Sequence, residues 1–198
     1  LQRDEARKRF GFVEDDVVVG IIGRIDPHKA QKFVKDAVVE LRNRNPKLKL
    51  LIVGNKTEGE WEDYYLNLKK EIDEEHKDGS VQMIPFMADV KTFYNGIDIF
   101  VMASAKETFG MVTIEAMVSG KMIAGTGTCG TLELLNEGRY GYYFDWNDIP
   151  SLKKALTEIL NNQDEAKSKG AAAQLYAREA FSHSSECAQI EDIIGDIV

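Results

Sequence analysis

The sequence predicts an α/β protein with a doubly wound, Rossmann-like parallel sheet and additional helices at its C-terminal end. Six short apolar runs recur along the chain, and segments with helical periodicity lie between most of them. Strands that alternate with helices form parallel sheets covered by helices on both faces. Continuous apolar runs, as opposed to runs that alternate with polar residues, are typical of strands buried on both faces.

Each element follows from its residue pattern. The candidate strands are 17–23, 48–54, 81–86, 97–104, 121–126 and 140–145. Helical periodicity is clearest in 29–44, where the apolar side chains on one face are Phe33, Ala37, Val38 and Leu41. The other helices are predicted at 60–77, 89–95, 110–119 and 131–137, in the entry segment 1–12, and from 148 to the end. Because no repeat, linker or low-complexity segment divides the chain, we predict a single domain over 1–198.

Composition excludes several classes of protein. The net charge of −8 argues against a broad nucleic-acid-binding surface, which needs clustered Lys and Arg. No stretch approaches the ~20 apolar residues of a membrane span, and we expect no signal peptide. Cys129 and Cys187 are far apart and lack metal-ligand spacing with the three histidines. We therefore expect a reduced, cytoplasmic protein without a disulfide framework or a metal site.

Ligands of doubly wound sheets bind beyond the carboxyl ends of the strands, so the residues after each strand carry the functional information. The first strand is followed by GRIDPHKAQK, which places Arg24 and Lys29 at the start of the next helix. Cations there oppose the helix dipole unless an anion lies between them. Phosphate fits, because free N–H groups at a helix start also bind it. A solvated Arg and Lys in a loop is the alternative.

The fourth strand is followed by KETFGMVTIEAM, in which Glu115 lies inside an otherwise apolar run. Gly110 allows backbone to approach a ligand closely, and Met111 and Val112 supply first-turn N–H groups. A buried carboxylate needs partners, and the paired hydroxyls of a ribose are suitable ones. The alternative is a structural ion pair with a neighbouring helix.

The second glutamate of this stretch, Glu107, is predicted to lie in the loop before the helix. On one helix the two glutamates would be ~12 Å apart, whereas a glycosidase pair needs roughly 5–9.5 Å. The two carboxylates therefore fit an elongated ligand better than a single bond. One would hold a ribose and the other a sugar, with a diphosphate between them.

A glycine pattern later in the chain imitates a dinucleotide-binding fingerprint. GTGTCG (125–130) follows a strand, and Asp145 ends the next one. The helix between them is only about two turns long, shorter than a crossover helix usually is. The pattern also follows the fifth strand instead of the first. We therefore do not predict NAD(P) binding.

Taken in order, these segments resemble the retaining group-4 glycosyltransferases of the GT-B fold. IIGRIDPHK resembles that family's Gly-Arg-Leu–x–x–x–Lys-Gly segment, and ETFGMVTIE matches its E-x7-E motif with the internal Phe-Gly. GTCGTLELL resembles its Gly-Gly-x-Pro-Glu loop, and GYYFDWNDIPSLKKAL resembles its strand-then-helix ending. The resemblance extends over nearly all of 1–198.

The resemblance implies a role for each site residue. Arg24 and Lys29 would bind the donor diphosphate and, with Glu107, act in catalysis. Glu115 would bind the ribose and Glu107 the transferred sugar. No metal or cofactor is implied, because the cations stabilise the leaving diphosphate. The other implied donor-binding residues are Gly23, Pro85, Phe86, Met87, Phe109, Gly110, Met111 and Val112.

The sequence departs from the family pattern at three places. Ala30 follows Lys29 where the family usually has Gly. Cys129 and Leu132 replace a Gly and the Pro of the Gly-Gly-x-Pro-Glu loop. The segment GNK (54–56) lacks the second Gly that often follows this strand. We expect these departures to reshape the phosphate turn and the sugar end of the site.

The sequence resembles only the C-terminal, donor-binding half of a GT-B enzyme. We therefore expect the N-terminal acceptor domain to be absent from this chain, and the apolar positions in 187–198 to lack their partner surface. The chain alone should bind a nucleotide sugar without efficient transfer, and the full-length protein could sit peripherally on a membrane. Another GT-B enzyme, such as a sugar-nucleotide epimerase, and a non-catalytic nucleotide- or partner-binding module are the alternatives. The base, the sugar, the acceptor and the oligomeric state stay open.

Overall fold

The computed structural model describes residues 2–182, so the predicted apolar positions in 187–198 lie outside the described residues. Six strands form one parallel sheet in the order β3-β2-β1-β4-β5-β6. The predicted doubly wound α/β class is confirmed, since this is the strand order of a Rossmann fold. All six predicted strands are present: β1 Val17–Ile22, β2 Leu48–Val53, β3 Val81–Ile84, β4 Ile99–Met102, β5 Met122–Thr126 and β6 Tyr142–Phe144.

Eight α-helices connect and flank these strands within the described part of the chain. They are α1 Arg3–Arg9, α2 Gln31–Arg42, α3 Glu62–Glu75, α4 Val90–Gly96, α5 Met111–Val118, α6 Cys129–Leu135, α7 Ile149–Asn161 and α8 Gln163–Ala180. A 3₁₀ turn, Asn136–Gly138, follows α6. None of the helices among residues 2–182 is long and apolar enough to cross a membrane.

Helices cover both faces of the sheet and create two apolar cores. One core lies under α2, α3 and α7, where Val34, Leu68 and Leu156 belong to one buried cluster with side chains of the sheet. The other lies under α4, α5 and α6, together with the C-terminal part of α8. Because both faces are covered, the central strands are apolar on both sides, as their sequences predicted.

A charged network fixes α1 to the amino ends of the strands. The buried Arg7 donates to both carboxylate oxygens of Asp98 and to the backbone carbonyl of Asp16, while Arg3 lies 2.8 Å from Asp98. Lys121 donates to the carbonyl of Ile97 nearby. Burial lowers the pKa of Lys121 to about 8, and the charge of Asp98 partly counteracts this effect. This network lies at the end of the sheet opposite to the predicted ligand site.

The chain reverses its direction of progress across the sheet between β1 and β4. These two strands are neighbours although β2 and β3 separate them in sequence. Such a switch point opens a crevice between the loops that follow the two strands. These loops are residues 23–30 and 103–110, which are the segments that the sequence singled out. The strand predicted at 97–104 extends only over Ile99–Met102, and the second loop is therefore long enough to reach the first.

Candidate functional site

The loop after β1 forms a compact turn that begins helix α2. Asp26 is buried, and its Oδ1 accepts hydrogen bonds from the backbone N–H groups of His28 and Lys29 at 2.9 and 3.0 Å. The side-chain amide of Gln31 donates to the Arg24 carbonyl at 2.6 Å. A buried side chain therefore holds each end of this turn. The turn presents the side chains of Arg24 and Lys29 at the carboxyl edge of the sheet.

Glycine is required where this turn passes the end of β2. A Cβ atom on Gly54 would lie 1.8 Å from the carbonyl oxygen of Gly23. Gly23 has φ +150° and donates its N–H to Val53. The two glycines therefore let the ends of β1 and β2 approach each other at the edge of the predicted site.

The two predicted cations have different surroundings. The Arg24 side chain is 67% exposed, and its Nε lies 4.0 Å from Asp26. Lys29 is more enclosed, and its Nζ donates to Glu107 Oε2 at 2.7 Å. The side chains of this pair are 27% and 19% exposed. The structure thus joins the predicted diphosphate lysine to the predicted sugar carboxylate, across 78 positions of sequence.

The backbone of the Glu107 loop is supported by α6. The N–H of Gly130 donates to the Glu107 carbonyl at 3.0 Å, and a Cβ on Gly130 would lie 2.6 Å from the carbonyl oxygen of Thr108. A Cβ on Gly125 would lie 2.5 Å from a methyl group of Thr131. The glycines that imitated a dinucleotide fingerprint therefore allow close packing within the protein, and α6 is as short as the sequence predicted.

Helix α5 begins at the crevice. Gly110 is its N-cap with φ +76°, a conformation that glycine adopts without strain. The N–H groups of Met111 and Val112 lie in the first turn, where a helix offers them no acceptor. Phe109 and Met111 have side chains that are 54% and 58% exposed. The predicted anion-binding helix start is thus open to the crevice and flanked by apolar groups.

Glu115 lies one turn further along α5 and is only half-buried. Its Oε2 accepts a hydrogen bond from Tyr94 at 2.9 Å, and the same hydroxyl also lies 2.9 Å from the Val112 carbonyl. Burial, and then the charge of Glu115, raise the pKa of Tyr94 well above its usual range, so the phenol stays a donor. Between residues 2 and 182 no ion pair to Glu115 is found, in contrast to the alternative that its sequence left open.

Sequence reasoning missed Tyr94, which lies 21 positions before its partner in the helix predicted at 89–95. An aromatic residue with apolar neighbours is most often only a packing residue. Its spacing from Glu115 carries no periodic signal, because the two residues lie on different helices. Only the packing of α4 beside α5 brings them together.

The segment after β3 lies at the other end of the crevice. The N–H of Phe86 donates to Asn55 Oδ1 at 3.0 Å, and the Asn55 carbonyl accepts from Ile25 at 2.9 Å. The Phe86 ring is 54% exposed, Pro85 is exposed and Met87 is half-buried. Asn55, which occupies the GNK departure, therefore ties together the ends of the first three strands.

The crevice is thus bounded by side chains from four loops, and its geometry suits an elongated anionic ligand. Lys29 and Glu107 meet at 2.7 Å across the two loops, the first turn of α5 follows the second loop, and the exposed ring of Phe86 follows β3 at the same edge of the sheet. No group of three or more His, Cys, Asp or Glu side chains that could hold a metal occurs among the described residues.

Comparisons with known proteins identify the family of this chain. A family model described as "Glycosyl transferases group 1" matches residues 2–176. The D-inositol 3-phosphate glycosyltransferase of Corynebacterium aurimucosum is 26% identical over 98% of this chain and 46% of the relative. The mannosylfructose-phosphate synthase of Agrobacterium fabrum is 33% identical over 72% of this chain and 32% of the relative.

Solved structures show the same fold. The crystal structure of Anabaena HepE in complex with UDP superposes with a TM-score of 0.87 at 25% identity, covering 98% of this chain and 52% of HepE. The C-terminal domain of a group 1 family protein from Francisella tularensis superposes with a TM-score of 0.80 at 19% identity, covering 92% and 94% of the two chains. The chain therefore spans about half the length of the first full-length relatives it matches.

Proposed function

Because the chain belongs to the group 1 family of glycosyl transferases, we propose that it is the donor-binding half of a retaining glycosyltransferase that uses a nucleoside-diphosphate sugar. The contact between Lys29 and Glu107 carries this proposal. It places a cation suited to a phosphate 2.7 Å from a carboxylate suited to a sugar hydroxyl, at the switch point of the sheet.

The remaining groups of the crevice fit the rest of such a donor. Arg24 extends freely and can reach a phosphate oxygen. Glu115, oriented by Tyr94, is an acceptor for the two ribose hydroxyls. The exposed ring of Phe86 offers a surface for a base, at the end of the crevice away from Glu107. HepE has been crystallised with UDP and with UDP-glucose, which makes uridine nucleotides the first ligands to test.

In the proposed reaction, the bond between the sugar and the diphosphate breaks and negative charge develops on the leaving phosphate. Lys29 and Arg24 stabilise that charge, as do the first amides of α5. Lys29 and the amides are held in place before the reaction, which makes their contribution effective. Two cations provide the positive charge that a divalent ion provides in other phosphate sites, and we propose that no metal or cofactor takes part.

The acceptor side of the reaction belongs to the part of the enzyme beyond this chain. We propose that an N-terminal domain supplies it, since the chain covers about half of its full-length relatives. We further propose a cytoplasmic location for the enzyme. The chain by itself should bind the donor and transfer its sugar poorly.

Calorimetric titration of the chain with UDP, GDP and ADP tests this function. We expect one of the three to bind, and we expect EDTA to leave its affinity unchanged. Arg24→Glu should weaken binding by roughly one to two orders of magnitude, since one charge-assisted contact contributes ~1.5–3 kcal/mol. Failure of all three nucleotides to bind would contradict the function. Restoration of lost affinity by Mg²⁺ or Mn²⁺ after EDTA would contradict the metal-free site.

A further inference from the structure

A second concave surface lies beside the phosphate turn, and apart from Arg24 its lining residues are not used by the proposed donor. It encloses about 510 Å³ and is lined by Arg24, Asp26, His28, Glu60 and Trp61. The indole of Trp61 is the largest apolar group in it and is 48% exposed. Large aromatic side chains are costly to leave in water, and an exposed one in a polar cavity is characteristic of a binding surface.

The backbone conformation of Trp61 is strained. Trp61 has φ +54°, a conformation that bulky residues rarely adopt. A bridge between Thr57 and Glu60 closes the loop before it, and an ion pair between Lys56 and Glu62 spans its position. Strain of this kind persists where the surrounding structure enforces it, and it is concentrated at functional sites.

The indole also has a defined orientation. Its ring meets the imidazole of His28 edge to face, with 5.8 Å between the centroids and an angle of 85° between the planes. The carbonyl of His28 accepts a hydrogen bond from the N–H of Ala105, two residues before Glu107. The wall of the cavity is therefore attached to the loop that carries the proposed sugar carboxylate.

The chemistry of the lining favours a neutral polyhydroxylated ring. An indole face packs against the C–H groups of a sugar or cyclitol ring, and the carboxylate of Glu60 accepts hydrogen bonds from its hydroxyl groups. The carboxylates of Glu60 and Asp26 disfavour a second anion beside Arg24. The cavity adjoins Arg24, which the proposed function assigns to the diphosphate, so a ring bound there lies next to the donor.

We propose that Trp61, with His28 and Glu60, forms a subsite on this domain for the acceptor's sugar or cyclitol ring. The proposal rests on the proposed function, because it makes this ring the partner of a donor bound in the crevice. It assigns part of acceptor recognition to this half of the enzyme, in addition to the half beyond the chain.

Saturation-transfer NMR on the UDP-saturated 198-residue chain tests the subsite, with D-glucose, D-mannose, N-acetyl-D-glucosamine and myo-inositol as separate probes. We expect at least one probe to receive saturation at its ring C–H protons. Trp61→Asn should reduce this signal about fivefold or more, as expected for the loss of one aromatic contact. Asn tolerates a positive φ, so this variant removes the ring and keeps the backbone.

Trp146→Asn is the matched control. Trp146 is the other tryptophan of the chain, is 43% exposed, and lines a separate cavity with Pro27 and Ala30 of the same turn. The Trp146→Asn variant should leave the saturation of the probe protons unchanged. Equal signals in both variants, or no signal from any probe with the unmodified chain, would overturn the subsite while leaving UDP binding intact. A loss of UDP affinity in Trp61→Asn would also overturn it, by assigning Trp61 to the base. Failure of UDP, GDP and ADP alike to bind would instead defeat the proposed function, and the subsite with it.

Discussion

Neutralising Glu107 should make bare UDP bind more tightly, although Glu107 is itself a proposed site residue. Lys29 is paired with Glu107 at 2.7 Å. A phosphate that takes Lys29 must first break or share this ion pair, and it then lies close to an ionised carboxylate. Glu107→Gln removes both costs while keeping a side chain of the same size.

The magnitude follows from the geometry. The two side chains are 27% and 19% exposed, so the pair is partly screened and contributes about 0.5–1 kcal/mol. Two like charges ~6 Å apart repel by about 0.7 kcal/mol in water and about 3 kcal/mol at an effective dielectric constant of ~20. Because both side chains are partly exposed, the repulsion lies near its value in water, and the combined gain is about 1–2 kcal/mol. This corresponds to UDP binding ~5- to 30-fold more tightly.

Calorimetry with UDP and UDP-glucose measures the effect. For UDP-glucose we expect a smaller gain or a loss, because the amide is a poorer acceptor for a sugar hydroxyl than the carboxylate. Glu158→Gln, an exposed residue on α7, controls for the change in net charge. Unchanged or weaker UDP binding in Glu107→Gln would show that the phosphate does not displace this ion pair, and the diphosphate would have to lie elsewhere.

Three further predictions concern other parts of the chain. Tyr94→Phe should weaken UDP binding about 2- to 10-fold with little loss of stability, because the ligand must then immobilise Glu115 at a cost of ~0.5–1.5 kcal/mol. Calorimetry with a parallel melting curve measures both effects, and an unchanged UDP affinity would contradict the orienting role of Tyr94. Cys129→Gly should raise the melting temperature by a few degrees, since Cys129 is exposed and has φ +48°. The control Ala171→Gly, on the exposed face of α8, should lower the melting temperature. Equal shifts in the two variants would show that the backbone at Cys129 is not strained. Folding lowers the pKa of Lys121 from 10.5 to about 8, so between these pH values the unfolded chain binds more protons and the free energy of unfolding rises with pH. Denaturant titrations across this pH window should show the rise in the parent chain and less of it in Lys121→Met. Identical dependence on pH in the two chains would contradict the burial of Lys121.

The sheet and the loops of the crevice follow from local sequence signals. Continuous β-branched runs identify the strands because these strands are buried on both faces. Gly110 and the polar residues after β1 and β4 identify the crevice because ligands of such sheets bind beyond the carboxyl ends of the strands. Both signals extend over only a few residues, so one sequence is sufficient to recognise them.

The residues that the sequence did not reveal act through long-range packing. Tyr94, Asn55 and Trp61 each contact a residue on a different element, at Glu115, Phe86 and His28 respectively. Such contacts depend on the crossing of helices and the twist of the sheet, which no spacing rule encodes. Their residue types are also common in cores and loops, so composition does not single them out.

The departures from the family pattern have a physical explanation in the structure. Ala30 and Cys129 stand where the family usually has Gly, and both have a positive φ, at +58° and +48°. Ala30 is only 6% exposed, so its buried methyl group contributes about 0.8 kcal/mol that offsets part of the strain. Cys129 is exposed and has no such compensation. Burial therefore offsets part of the strain at Ala30, whereas the strain at Cys129 is not offset in this way.

The two glutamates of the E-x7-E stretch differ in how they are held without a ligand. Glu115 accepts a hydrogen bond from the neutral Tyr94 and has no ion pair among the described residues, so a ribose can bind without displacing a cation. Glu107 is paired with Lys29, so the phosphate and the sugar must enter together for both groups to stay satisfied. An intact sugar nucleotide satisfies both groups, whereas the bare diphosphate leaves Glu107 unpaired beside a phosphate. On the proposed assignment, this difference between Glu107 and Glu115 favours binding of the intact donor and release of the nucleotide product. The same two side chains contribute to both effects.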